Sequence, residues 1–199
     1  MVENQDRAEK VLAHAAKLGT SGASIIAPGQ VPVDNKFIEF CKTPQCPGYG
    51  SSMSCPPHVK GPDWFREYLK TFEQVLVFKF DVPTEILLSE ERHGVTRLIH
   101  ETASGIESFA LANGYARAKG FAGGSCKRVF CNEYLGCRVL SGTGGCRNPD
   151  KARQSMSGMG VDFLELTKLL GWKMEIITQT TDAEEVKMGM MAGMVLMGD

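Results

Sequence analysis

Apolar residues recur at helical spacing from Asn4 to Leu18, where Ala8, Val11, Leu12, Ala15 and Leu18 share a face and Gly19 supplies a stop. Ile25 and Ile26, flanked by Gly and Pro between Ala23 and Val33, read as a short strand. Asp63 is placed to cap a short helix over Trp64 to Phe72. The run Val75-Leu76-Val77-Phe78-Lys79-Phe80 is a strand signal, closed by Pro83. From Pro83 to Lys119 the apolar positions follow a helical period, with Gly94, Gly105 and Gly114 predicting a kinked or divided helix. Lys151 to Leu170 reads as another helix, ended by Gly171. Lys173 to Thr178 and Ala192 to Met197 read as closing strands, the second inside the apolar run MGMMAGMVLMG.

Two stretches carry no such period. Residues Cys41 to Pro62 and Gly120 to Pro149 are rich in Cys, Gly and Pro and read as loops. The order of elements predicts an α/β (α+β) fold, a single domain over residues 1–199. Its sheet is mostly antiparallel with helices packed on a face, and the two Cys-rich loops are connections off that scaffold.

Composition narrows the chemistry. A hydrophobic fraction of 43% supports a packed core, and a net charge of -1 offers no basic field for nucleic acid or a membrane surface. The terminal apolar run is too short to span a bilayer. The first residues show no basic stretch followed by an apolar one, so a secretory signal is not expected and the protein is read as cytoplasmic. Reducing conditions disfavour structural disulfides, and seven cysteines is an odd count.

All seven lie in the two loops: Cys41, Cys46 and Cys55 in the first, Cys126, Cys131, Cys137 and Cys146 in the second. A structural free Cys behaves as a small hydrophobe and prefers a core, so this clustering points to metal ligation. Four thiolates saturate a tetrahedral ion or a cubane cluster. The spacings are x4 and x8 in the first loop and x4, x5 and x8 in the second, wider than the tight knuckles of structural zinc. That favours iron–sulfur, one or two [4Fe–4S] clusters, with zinc as the alternative. Three cysteines in the first loop leave a position for substrate, water or a side chain, and His58 is a candidate, although a His after Pro-Pro is more often a surface residue. Lys127, Arg128, Arg138, Arg147, Lys151 and Arg153 crowd the second loop, where they would favour thiolates and offset cluster charge.

Other candidates have simpler readings. His93 and His100, with Arg97 and Glu101, read as an exposed helix face with intrahelical pairs. Met188, Met190, Met191, Met194 and Met197 read as core filling in preference to a soft docking surface for a partner.

Two strings then resemble a known family. The first is Cys41-x4-Cys46-Pro47-x-Tyr49-Gly50, followed by Ser54-Cys55-Pro56-Pro57. The second is Gly124-x-Cys126-x4-Cys131-x5-Cys137, then Cys146-Arg147-x-Pro149-x3-Arg153-x-Ser155-Met156-x3-Gly160. Together they resemble the domain of unknown function 2284 family, described as predicted metal-binding proteins, in collinear order over Phe37 to Leu196. The resemblance implies a cytoplasmic metal-binding protein of the kind found in anaerobes, with iron–sulfur clusters, and no known reaction. The chain departs from the family pattern at Ser125 and Gln154, where that pattern carries proline; the ligands are untouched.

The expected function is therefore iron–sulfur binding, for electron transfer to a redox partner protein or redox support of an enzyme. The alternatives are an enzyme that binds substrate at an open iron of the three-Cys site, and a zinc-stapled adaptor. Whether the chain is an enzyme, and its oligomeric state, are not legible in the residues.

Overall fold

The computed structural model describes residues 2–43 and 46–199. In chain order the elements are α1 (Val2–Lys17), β1 (Gly22–Ile26), α2 (Lys36–Glu39), α3 (Gly61–Leu69), β2 (Gln74–Pro83), α4 (Thr84–Leu88), α5 (Arg92–Ala112), β3 (Arg117–Ala122), α6 (Cys126–Phe130), β4 (Gln154–Ser155), α7 (Phe163–Leu169) and β5 (Met188–Gly198). Short 3-10 turns occupy Pro28–Gln30 and Ser157–Met159. Five strands form one mixed, mostly antiparallel sheet in the order β1-β2-β5-β3-β4, in which only the β3–β4 pair is parallel. The expected α+β class is the observed one. Among the described residues no helix is long and apolar enough to cross a membrane.

The continuous apolar runs of β2 and β5 follow from burial on both faces. Leu76, Phe78, Phe80 and Val82 of β2, with Val195 and Met197 of β5, pack beneath α1 and α5 through Val11, Ala15, Ile99, Ala103 and Ile106. The alternate residues Val75 and Val77, with Met194 and Leu196, pack beneath Phe65 and Leu69 of α3, Met159, Val161 and Leu166. Helices thus cover both sides of the sheet rather than one. Each fully buried large side chain contributes about 1.5–3 kcal/mol. The methionine-rich tail is core filling where it crosses the sheet: Met194 and Met197 are fully buried, while Met188 at the strand's start is exposed. Gly193 stands opposite Phe78, and a Cβ there would come within 2.4 Å of the Phe78 ring, so the strand interior tolerates only glycine.

Four expectations are corrected. The segment Arg117–Ala122 is a strand, not the end of a helix: α5 stops at Ala112, and Gly114, at φ 98, turns the chain back into the sheet. Gly120 permits this strand to run close under α5, since a Cβ would meet the Ala103 carbonyl oxygen at 3.0 Å. Lys173–Thr178 is not a strand. Both neighbours of β5 are already β2 and β3, which leaves that short alternation no central place in the sheet. Lys151–Leu170 is not one helix: β4 and a 3-10 turn precede α7, and Gly160, at φ 76, breaks the period against Pro62. The cap of α7 is Asp162, whose side chain accepts the Glu165 backbone N–H at 3.1 Å. Asp63 lies inside the first turn of α3, which begins at Gly61, and pairs with Arg66 at 2.6 Å instead of capping. The long helix over 83–119 is divided as expected, between α4 and α5.

Candidate metal centre

The first Cys loop is wound by its own backbone. Cys46 N–H donates to the Cys41 carbonyl at 3.0 Å, Tyr49 N–H to the Cys46 carbonyl at 2.8 Å, and Gly50 N–H to the Pro56 carbonyl at 2.7 Å. The second loop leaves β3, forms α6 from Cys126, and returns to the sheet edge at β4. There Ser155 N–H donates to the Ser54 carbonyl at 3.0 Å, stitching the two loops together. They touch again at Gly48, where a Cβ would lie 2.8 Å from the Ser125 Cβ and 3.5 Å from the Cys55 Sγ. The Ser51 and Ser125 hydroxyls stand 3.4 Å apart across the same seam. Loops separated by some seventy residues of sequence therefore build one surface, and Cys55 and Cys126 lie on its inner side.

The sulfurs fall into two groups. Cys126, Cys131, Cys137 and Cys146 all line a single cavity, together with Ser52 and Asn148. Its empty volume is about 330 Å³, but only about 30 Å³ of that is open to the centre of a water-sized sphere, so it suits a compact inorganic body and not an organic molecule. Asn148 donates its side-chain amide to the Cys131 Sγ at 3.4 Å and its backbone N–H to the Cys146 Sγ at 3.3 Å. The other group is Cys41, Cys46 and Cys55, and Gly48 N–H donates to the Cys46 Sγ at 3.4 Å. All seven thiols are free. Among the described residues, no three His, Cys, Asp or Glu side chains are gathered as one metal ion would require.

Electrostatics tie the groups together. Burial pushes the Cys41 thiol up to about 11, with the nearby Cys46 and Cys55 sulfurs adding to the rise. Burial likewise raises Cys55, against hydrogen bonds from the Ser125 and Ser52 hydroxyls. It raises Cys126 too, against Ser54 and Ser52 and with Cys55 and Cys146 close by. Cys126 thus neighbours a member of each group. Burial also acts to raise Cys137, but the backbone N–H groups of Leu140, Met53 and Val139 and the Arg147 charge outweigh it, leaving this thiol below its ordinary value. Buried thiols of raised pKa stay protonated until a cation replaces the proton. Soft sulfur donors supported by N–H and O–H groups fit a thiolate-bound metal or cluster.

His58 is exposed, and its backbone N–H donates to the Cys55 carbonyl at 3.0 Å. The basic residues of the second loop do more than balance charge. Lys127 donates to the Cys131 and Tyr134 carbonyls at 2.6 and 2.7 Å, Arg138 to those of Gly145 and Cys146, and Arg147 to that of Gly136 while lying 4.0 Å over the Tyr134 ring. They pin the carbonyls of a loop that has little secondary structure of its own.

The expected exposed face on α5 is corrected as well. His100 is fully buried, Arg97 donates to the Val129 carbonyl, and Glu101 pairs with Lys151 at 2.9 Å; these groups reach across to the second loop rather than along the helix. Arg153 N–H donates to the His100 Nδ1 at 3.1 Å, and the Arg153 guanidinium grips Glu107 with two bonds of 2.9 and 3.1 Å. Arg153 Nη1 also donates to the Pro149 and Ala152 carbonyls, and Glu107 accepts the Gly120 N–H. This buried pair anchors the exit of the second loop to α5 and β3. Sequence reasoning missed it, although Arg153 stands in the second motif string.

Burial, with the Arg153 charge beside it, pushes His100 from 6.5 down to about 4. Its folded value lies below its unfolded one, so its contribution is complete above pH 6.5 and is lost as pH falls toward 4. Over that window the loss is expected to reach about 3 kcal/mol. Urea titrations across the range should show this slope in the native protein, and His100→Gln should flatten it. An unchanged slope in the variant would assign the acid sensitivity to other groups.

A family model described as a predicted metal-binding protein, domain of unknown function 2284, matches residues 24–197. No curated protein and no solved structure matches the chain. The matched span includes both Cys loops and every strand of the sheet except the first two residues of β1 and the last of β5. The chain belongs to this family.

Proposed function

We propose that this member of a metal-binding family is an iron–sulfur protein of the cytoplasm, with a [4Fe–4S] cluster on Cys126, Cys131, Cys137 and Cys146 that exchanges electrons with a redox partner protein. One observation carries the reading: four cysteines, spaced x4, x5 and x8 along the chain, share one small cavity. A cubane presents its corners to ligands several ångströms apart, whereas zinc draws four ligands to about 2.3 Å from one centre. When bound, such a cluster supplies reversible one-electron chemistry. The residues around it would then hold its potential through Asn148 and through the N–H groups directed at Cys137. Cys41, Cys46 and Cys55 are read as a second site that lacks a fourth cysteine of its own. Leu135 and Tyr134, exposed between Cys131 and Cys137, offer a partner an apolar contact beside the first site.

Iron, zinc and acid-labile sulfide per chain after anaerobic purification test the reading. About four iron and four sulfide are expected for one cluster, and about eight of each for two. Stoichiometric zinc without sulfide would replace the redox reading with that of a zinc-stapled adaptor.

A further inference from the structure

A second, much larger hollow lies against the four-sulfur cavity. It offers about 900 Å³ to water-sized molecules, against about 30 Å³ in the cavity, and falls within the size range of small-molecule sites. Its walls come from three parts of the chain. Gly50 and Ser51 belong to the first loop, Glu90 and His93 to the approach and first turn of α5, and Lys127, Arg128, Asn132, Cys137 and Ser141 to α6 and the second loop. Lys127 and Cys137 line both spaces, so the hollow and the cavity share a wall.

The charge of the hollow is one-sided. Glu90 is its only carboxylate among the described residues, and it is engaged with the His93 Nδ1 at 3.2 Å and with Arg92 at 3.5 Å. Lys127 is held by two carbonyl oxygens, which fix its position without cancelling its charge. The Arg128 backbone N–H donates to the Ser125 carbonyl at 3.2 Å, while its guanidinium makes no ion pair and no hydrogen bond among the described residues. It follows Lys127 on α6, and Ser51, Asn132 and Ser141 line the same hollow. An unengaged guanidinium and a lysine on the wall of one hollow, with the Asn132 amide as a neutral donor, form an arrangement that recognises an oxyanion.

We propose that this hollow binds a small organic anion, a carboxylate or phosphate ester, with Arg128 as its principal contact and Lys127 as a second, and that the ligand lies one sulfur, Cys137, away from the metal centre. Only the last clause rests on the iron–sulfur reading; the binding itself requires no particular metal. The position gives the centre a substrate or effector site rather than a purely outward electron path.

The test uses the anaerobically purified, metal-loaded protein and two probes, inorganic phosphate and succinate, titrated by calorimetry and by visible absorbance. At least one probe is expected to bind. Arg128→Gln should weaken it by about tenfold or more with metal content unchanged, and Lys173→Gln, outside the hollow, should leave it unaltered. A change in the cluster absorbance on binding is expected through Cys137. Failure of both probes to bind at about 10 mM, the weak end of specific affinity, would overturn the proposal. Equal binding by Arg128→Gln, or equal weakening by Lys173→Gln, would overturn it also. A colourless zinc protein that binds the probe through Arg128 would remove the cluster and keep the anion site. A brown protein that binds neither probe would do the reverse.

Discussion

Cys126→Ala should reduce the iron and sulfide held by the four-cysteine site to less than about a tenth of that site's native share. Loss of a group that merely supports a ligand already costs about 10–100-fold in metal affinity, and loss of a ligand costs at least as much. Cys126 is the most sensitive position because it opens α6, lines the four-sulfur cavity and lies close to both Cys55 and Cys146. Cys41→Ala provides the comparison. Its thiol belongs to the other group and lines neither the cavity nor the hollow beside it, so at least the first site's share of iron should survive. Native circular dichroism in both variants would show that the sheet, which no cysteine enters, folds without the loops being loaded. Full iron content in Cys126→Ala would overturn the four-cysteine assignment.

Arg153→Ala should destabilise the fold by about 3–5 kcal/mol, the cost of leaving one member of a buried ion pair without its partner. Arg153 is 6% exposed and Glu107 15%, and the two are joined by paired bonds that leave the carboxylate no alternative cation nearby among the described residues. The loss would also release the Pro149 and Ala152 carbonyls and the His100 Nδ1 contact, loosening the exit of the second loop. Arg153→Lys keeps the charge but not the planar fork, and should recover only part of the stability. Removing both charges together, as Arg153→Met with Glu107→Gln, should cost less than Arg153→Ala alone. Equilibrium denaturation of the four proteins measures each value. Equal stability of Arg153→Ala and the native chain would mean that the loop exit is held by packing alone.

Part of this site was legible in the residues. The partition of the cysteines into three and four, in loops without apolar period, followed from position along the chain. So did the strands β2 and β5, because an apolar run buried on both faces is conspicuous by itself. β3 was not, since Arg-Ala-Lys-Gly-Phe-Ala contains no β-branched residue and follows directly on a helical period. It is a strand because the sheet has room for it beside β5 and because Gly120 allows α5 to lie close above. His100 looked like a surface residue of a long helix. Its burial comes from Phe130, whose ring stands 5.6 Å away, and from Arg153, and both belong to a loop whose return path no local pattern encodes.

The sequence alone determined the candidate chemistry: seven cysteines, two loops to carry them, and an α+β scaffold with no cysteine in its strands. These are properties of residue type and local period, and they hold wherever the chain goes. Tertiary structure decided which sulfurs meet. Four share a small cavity, Cys126 lies near a member of each group, and Arg128 overlooks a hollow on the other side of Cys137. Those relations depend on the parallel pairing of β4 with β3 and on the contact of Gly48 with Ser125, which close the two loops on each other. Contacts of such long range are set by the packing of the whole sheet, and for that reason no stretch of sequence states them.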